Sequence, residues 1–407
     1  QEKKELAVNV SGLKAKVGTE YFVNFSVTTV EPEPLIPEGY EIAHEQFRLP
    51  IDPASRSFSV QGPALQCSEN GNLLSVQSSR VAFVFDKSTG LVTSYKVKGT
   101  EYFHEGFGIQ PNFWRAPNDN DYGSQMPKRL QIWKQSSKNF NVVDASLAMD
   151  GKDAVLKVSY LLAAGNLYIA TYRIHPSGVV KANYTFTSTE MEAAKTEASE
   201  ATLMATFTPG NEAIRKESSK LVVPRIGVRF RLPAEMEQVT YFGRGPEENY
   251  CDRNNGTLVG EYQATAEQMY FPYVRPQENG HHTDTRWLML KKKNGKGLAV
   301  YADGTLEFNS LRNSIEDFDG EEATHRDYQW GNRDAEELKH DVSTAKNIKP
   351  RHTHINDITP RDFVEVCLDM RQMGVGGFDS WGAVPDPQYL IPANKEYQWD
   401  SRLYRCK

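Results

Sequence analysis

Three consecutive runs, AVLKVSYLL (Ala154 to Leu162), LYIATYRI (Leu167 to Ile174) and VVKANYTFTS (Val179 to Ser188), decide the fold class. Each is rich in β-branched and aromatic residues and alternates them with polar ones, the two-residue period of a strand with one face buried. The turn cluster HPSG separates the last two, and KSTG plays the same part earlier. Strands that recur at roughly ten-residue spacing with hairpin turns argue an antiparallel sandwich.

The pattern spreads outward from there. YFVNFSVTTV (Tyr21 to Val30), VAFVFD (Val81 to Asp86) and LVTSYKVKG (Leu91 to Gly99) precede it; TLMATFTP, IGVRFRLP, QVTYFG and GKGLAVYAD continue it to about residue 303. Helical signals are few. LEFNSLRNSIEDF (Leu306 to Phe318) carries apolar residues at 306, 308, 311, 315 and 318, which predicts an amphipathic helix, and the charged tract GEEATHRDYQWGNRDAEELKHD predicts a short helix or loop. No alternation of strand and helix is sustained, so a (β/α)₈ barrel or doubly wound fold is not expected within the chain. The polar, turn-rich segment DPASRSFSVQGP (Asp52 to Pro63) predicts a boundary, leaving some fifty residues before it, a small piece for an independent fold.

With 407 residues, 25 % charged, and a net charge of −6, nothing points to nucleic acid or a membrane surface, and no run approaches the roughly 20 apolar residues that cross a bilayer. A neutral ligand fits that balance. The compartment, cytoplasmic or periplasmic, stays open. Cys67, Cys251, Cys367 and Cys406 are scattered without a CxxC pair, so free thiols are expected.

Several stretches could carry chemistry. NFWRAPNDNDYG (Asn112 to Gly123) contains Arg115 and a DxDxG core; a calcium loop would need a third ligand and a distal glutamate, which are missing, so Asx side chains stabilising a turn are expected. YFGRGPEENYCDR (Tyr241 to Arg253) has adjacent Glu247 and Glu248, but carboxylates that cleave a glycoside flank the sugar at roughly 5 to 5.5 Å, and a salt-bridged loop is expected instead. In YVRPQENGHHTDTRW (Tyr273 to Trp287), Glu278 with His281 or His282 could act as acid and base on a sugar hydroxyl; an Arg275–Glu278 ion pair explains the same residues without chemistry. His352 and His354 in RHTHIND share a face if extended, with no third metal ligand at a familiar spacing. Near the end, GVGGFDSW (Gly374 to Trp381) puts an indole on a glycine-rich loop, either as a plug beneath the loop or as a platform for a sugar ring.

NFWRAPNDND, YFGRGPEENYCDR, MYFPYVRPQENG and MGVGGFDSWG, in this order and at these intervals, closely resemble the C-terminal region of the large bacterial β-galactosidases of glycoside hydrolase family 2. The resemblance runs from about residue 60 to the end, and the first fifty residues resemble the second half of the immunoglobulin-like domain that precedes that region. It implies an all-β chain: part of an immunoglobulin-like sandwich over 1–58, then a large antiparallel β-sandwich similar to galactose mutarotase over 59–407. It also implies a retaining enzyme for terminal β-galactosides such as lactose, a homo-oligomer whose acid/base and nucleophile glutamates lie in an upstream (β/α)₈ barrel of the same polypeptide. No catalytic residue is therefore expected here, nor any cofactor held by this chain; the Mg²⁺ and Na⁺ of the whole enzyme would be ligated mostly by the barrel. Carried over residue by residue, Trp381 matches a tryptophan that stacks on substrate at the barrel mouth, and Gly123, Ser124 and Gln125 match a loop near the entrance. Arg115, Glu278, His281 and His282 remain cleft candidates from the reading of the residues themselves. The sequence departs from the family pattern at Phe378, where a second acidic residue often stands. Two other functions stay open: a stand-alone galactoside-binding or scaffold module, and an aldose epimerase using His281 or His282 with Glu278.

Overall fold

The computed structural model describes residues 3–5, 7–10, 12–14, 16, 19–51, 57–188, 222–319, 354–379 and 382–406. The chain divides into two compact units, Gln1–Ser59 and Val60–Lys407. In the first, β1 (Phe22–Thr28) and β2 (Glu41–Arg48) form an antiparallel hairpin with Phe22 opposite Arg48, and Phe25 meets Phe47 edge-on at 5.9 Å.

The second unit opens with a five-stranded meander: β3 (Gln66–Asn70), β4 (Leu73–Gln77), β5 (Val81–Asp86), β6 (Leu91–Val97) and β7 (Thr100–Glu101). The larger sheet has twelve strands among the described residues: β8 (Gln110–Asn112), β9 (Asn141–Asp150), β10 (Asp153–Leu161), β11 (Leu167–Ile174), β12 (Val180–Thr187), β13 (Arg225–Pro233), β14 (Gln238–Gly245), β15 (Leu258–Thr265), β16 (His282–Lys291), β17 (Gly297–Leu311), β18 (Phe363–Gln372) and β19 (Tyr397–Cys406). Their order is β15-β14-β16-β17-β19-β12-β11-β10-β9, with β18, β13 and β8 branching from β17. All pairings are antiparallel. Short helices α1 (Asp119–Gly123), α2 (Met126–Arg129) and α3 (Gln131–Lys138) follow β8, and α4 (Ile315–Phe318) follows β17.

The alternation seen in sequence is the alternation of burial. Along β10, Leu156, Val158 and Tyr160 point inward; along β11 and β12, Tyr168, Tyr172, Tyr184 and Phe186 do the same. Tyr184 stacks on Trp399 of β19 at 4.3 Å, so β19 closes over the interior of β10, β11 and β12. The fold is all-β, with the antiparallel strands expected.

One expectation is overturned. Residues 306–311 are strand, the second half of β17, and only Ile315–Phe318 is helical. Leu306 and Phe308 are two apart and face one side, while Glu307 and Asn309 are buried on the other among charged partners. The alternation Leu306 to Asn309 is short, and the apolar positions 306, 308 and 311, joined across the strand end to 315 and 318 of α4, fit a helical spacing as well. The strand forks the sheet: Gly297–Ala302 pair with β19 and Glu307–Leu311 with β18, the change coming at the exposed Asp303 and Gly304, where Gly304 has φ of +103°. Its second half is thereby carried beneath the loops described next. TLMATFTP (202–209), the charged tract (320–341) and His352 lie outside the described residues.

Candidate functional site

Four stretches singled out in the sequence, distant along the chain, line one cleft of about 470 Å³. NDND contributes Asn118, Asp119 and Asn120; the NYCDR stretch contributes Tyr250 and Arg253; YVRPQE contributes Tyr273, Val274, Arg275, Gln277 and Glu278; the glycine loop contributes Val375, Gly376 and Gly377.

The NDND stretch is held by its own polar groups. Asn118 caps α1: its side chain accepts from the Asp121 N–H at 2.8 Å, and Asp121 accepts from the Asn118 N–H at 3.1 Å. The Asp121 carboxylate also takes Nη2 of Arg115 at 2.9 and 3.1 Å, and Nη1 of that arginine donates to the Met373 carbonyl at 2.7 Å. Polar turn stabilisation, as expected, accounts for this acidic pair. Arg115 is fully buried beneath the cleft and does not line it.

The glycine loop is fastened along its length. Asp252 accepts from the N–H groups of Val375 (3.0 Å) and Gly376 (2.8 Å), and Asn118 donates to the Val375 carbonyl (3.1 Å). The Asn120 amide, with its nitrogen toward the Asp379 carbonyl at 2.9 Å, has its oxygen 3.1 Å from the Gly377 N–H. Gly382 has φ of +103°, and a Cβ there would lie 2.4 Å from the Gly123 backbone, so only glycine permits this approach. The two sequence-predicted elements, the indole loop and Gly123–Ser124, are therefore in direct contact. Gln125 follows at φ +60°, opening α2. Trp381 itself lies outside the described residues, while Phe378 is 79 % exposed.

The floor consists of buried ions. Glu278 is 5 % exposed, and its Oε1 accepts from Arg225 Nη2 at 2.6 Å and from Asn309 Nδ2 at 3.0 Å. Arg225, fully buried, also stands 3.3 Å from Asp369 and bonds to Gln372. Burial pushes the Asp369 carboxyl up to about 7, even with the Arg225 charge beside it. The expected Arg275–Glu278 pair does not form: Arg275 reaches across to Asp119 at 2.7 Å and lies 4.1 Å from the Tyr122 ring centroid. Neighbourhood in sequence did not decide the partner, because an irregular loop presents the two side chains to different elements. Glu248, as expected of a salt-bridged loop, meets Arg253 at 3.4 Å and also accepts from Tyr273 Oη and from the Gly280 N–H at 2.7 Å.

Neither histidine opens to the cleft. His281 is fully buried, stacked on Tyr250 at 5.4 Å, with its ring nitrogens 2.9 Å from Asn309 and 3.1 Å from Glu307. Burial disfavours its charge, but Glu307 outweighs that and raises its pKa. His282 sits between the Gly280 and Pro246 carbonyls, and burial pushes it down to about 4. Tyr250, Asp252, Arg225 and Asp369 were missed as site residues. The YCDR tail of its motif was the available signal for the first two; Arg225 and Asp369 lie on strands and carried none.

Among the described residues no cluster of three or more His, Cys, Asp or Glu side chains is arranged to hold a metal, and the NDND carboxylates are spent on arginines. His354 is exposed at the start of a single 3₁₀ turn. All four cysteines are free thiols. No helix among these residues is long and apolar enough to cross a membrane.

Comparison with known proteins identifies the family. The family model described as β-galactosidase small chain matches residues 77–403, and that of β-galactosidase domain 4 matches residues 1–50. The β-galactosidase of Priestia megaterium is 28 % identical over 361 residues, covering 88 % of this chain and 29 % of that protein; that of Streptococcus thermophilus is 26 % identical over 369, covering 89 % and 29 %. The chain thus spans less than a third of the length of these relatives. Among solved structures, a galactose mutarotase related enzyme from Lactobacillus acidophilus matches with a TM-score of 0.40 at 8 % identity, over 82 % of this chain and 97 % of that one. With one family model running through nearly all of the larger unit, the chain belongs to the β-galactosidase small-chain family.

Proposed function

We propose that this chain is the C-terminal part of a retaining β-galactosidase of glycoside hydrolase family 2, acting on terminal β-D-galactosides such as lactose. The acid/base and nucleophile would come from a (β/α)₈ barrel elsewhere in the polypeptide, along with most ligands for Mg²⁺ and Na⁺, and the enzyme would be a homo-oligomer. Residues 1–58 would complete an immunoglobulin-like domain. This part would finish the mouth of the active site through Trp381, with Gly123, Ser124 and Gln125 forming the entrance loop.

The observation that carries the reading is the fastening of the glycine loop. Asp252, Asn118 and Asn120 fix residues 375–379, and Gly382 abuts Gly123, on both sides of the indole position. A loop bound that firmly spends little entropy when a ring stacks on the residue it presents. In the full-length enzyme, Trp381→Ala is expected to lower kcat/KM for lactose about tenfold, roughly the 1.4 kcal/mol that aromatic stacking supplies. Unchanged kinetics would contradict it. The epimerase reading finds no support in the histidines, whose ring nitrogens are engaged within the protein.

A further inference from the structure

The cleft itself is unused by the reading above, which assigns a role to the loop at its edge. Its volume of about 470 Å³ falls within the roughly 300–1,000 Å³ of small-ligand sites. Glu278, 95 % buried at its back, spends Oε1 on Arg225 and Asn309, whereas Oε2 receives no hydrogen bond from the described residues. The bonds to Oε1 hold this carboxylate in place and leave its second oxygen as an acceptor toward the cleft. At the front stands Arg253, whose side chain is 55 % exposed and which contacts Glu248 and Tyr273 through Nη2 alone.

The charges around the cleft come in compensated pairs: Glu278 with Arg225, Arg253 with Glu248, Arg275 with Asp119. A charged ligand would therefore meet no net field of opposite sign. A wholly apolar one would leave Asn118, Arg253 and Glu278 unpaired, although Tyr250, Tyr273, Val274 and Val375 give the walls an apolar side as well. A neutral polyol suits both, since each hydroxyl donates and accepts and can satisfy a carboxylate oxygen on one side and a guanidinium on the other. Tyr250 stacks on His281 at 5.4 Å, and the guanidinium carbon of Arg253 lies 5.4 Å from the same ring centroid.

We propose that this cleft binds a neutral pyranose ring, with Glu278 accepting from one hydroxyl and Arg253 donating to another. It is a saccharide position built from this chain alone and does not rest on the role given to Trp381.

The test is calorimetric titration of the full chain with methyl β-D-galactoside and with methyl β-D-glucoside, alongside hydrogen exchange on the same samples. Expected are a millimolar dissociation constant for at least one glycoside and slowed exchange in 247–253 and 273–279. Arg253→Gln, at the exposed rim, should weaken binding about tenfold with an unchanged melting temperature. Glu278→Gln should weaken it further, and its melting temperature reports whether the fold survives. No binding at tens of millimolar glycoside, slowed exchange only in other segments, or wild-type affinity in Arg253→Gln would overturn the proposal. Lactose kinetics of Trp381→Ala are independent of each of these, so either reading can fail without the other.

Discussion

In the larger sheet, Tyr160, Tyr168, Tyr172 and Tyr184 fill the interior along β10, β11 and β12; at the floor of the cleft burial is given instead to Arg225, Glu278 and Asp369. The first region depends on area removed from water and on ring contacts such as Tyr184 against Trp399, which tolerate adjustment. The second depends on partners. A guanidinium or carboxylate taken out of water costs several kcal/mol unless a counter-charge stands at bonding distance, so its geometry is fixed by the pairing. The contrast shows where this protein keeps its shape and where it keeps its chemistry: an adaptable aromatic core carries a rigid ionic floor, and the motif loops are fastened to that floor.

The sharpest way to break the comparison is at Arg225. Arg225→Met leaves Glu278 and Asp369 buried without their counter-charge and is expected to cost about 3–5 kcal/mol in urea unfolding. A cost below about 1 kcal/mol would mean that the floor is as adaptable as the core.

A second effect is read in pH. Burial raises Asp369 from 3.8 to about 7, so between these values the folded chain keeps a proton that the unfolded chain has lost, and stability falls as pH rises. Burial lowers His282 from 6.5 to about 4; there the unfolded chain holds the extra proton, and stability rises with pH. From pH 4 to 6.5 the two slopes, each at most about 1.4 kcal/mol per unit, oppose one another. Asp369→Asn removes the falling slope, so its stability relative to wild type should climb across that window. Parallel profiles for the two proteins would contradict the assignment.

The smallest effects belong to the core. The Tyr95 hydroxyl donates to the Gly178 carbonyl at 2.5 Å, while that of Tyr102, 5.3 Å away ring to ring, finds no hydrogen-bond partner among the described residues. Tyr95→Phe should cost about 1 kcal/mol and Tyr102→Phe less than about 0.5 kcal/mol, by the worth of a buried hydrogen bond. The reverse order in thermal unfolding would show that the aromatic region depends on its polar atoms after all.

The same contrast explains what could be read in advance. Strands β5, β6, β10, β11 and β12 each have one wet face, and their alternation announced them. β18 is buried on both faces with Glu365 and Asp369 inside, and the second half of β17 buries Glu307 and Asn309; charged and polar residues on a buried face read in sequence as a wet one, so neither strand announces its burial, and Leu306–Leu311 with α4 also fits a helical spacing. At the site, the motifs were legible as composition and order. Their pairings were not, because Arg275 finds Asp119 and Glu278 finds Arg225 across 156 and 53 residues of chain, brought together by the course of an irregular loop rather than by local spacing.

The most direct test of the account is a double-mutant cycle in the full-length enzyme, with kcat/KM for lactose measured for Asp252→Ala, Trp381→Ala and both together. Among the described residues Asp252 bonds to the glycine loop through the Val375 and Gly376 N–H groups and packs against Gly374, so its effect on turnover should pass through the indole that the loop presents. The account predicts a several-fold loss for Asp252→Ala, about tenfold for Trp381→Ala, and a double variant no worse than Trp381→Ala alone. Losses that multiply in the double variant, or an Asp252→Ala enzyme with wild-type kinetics, would contradict it.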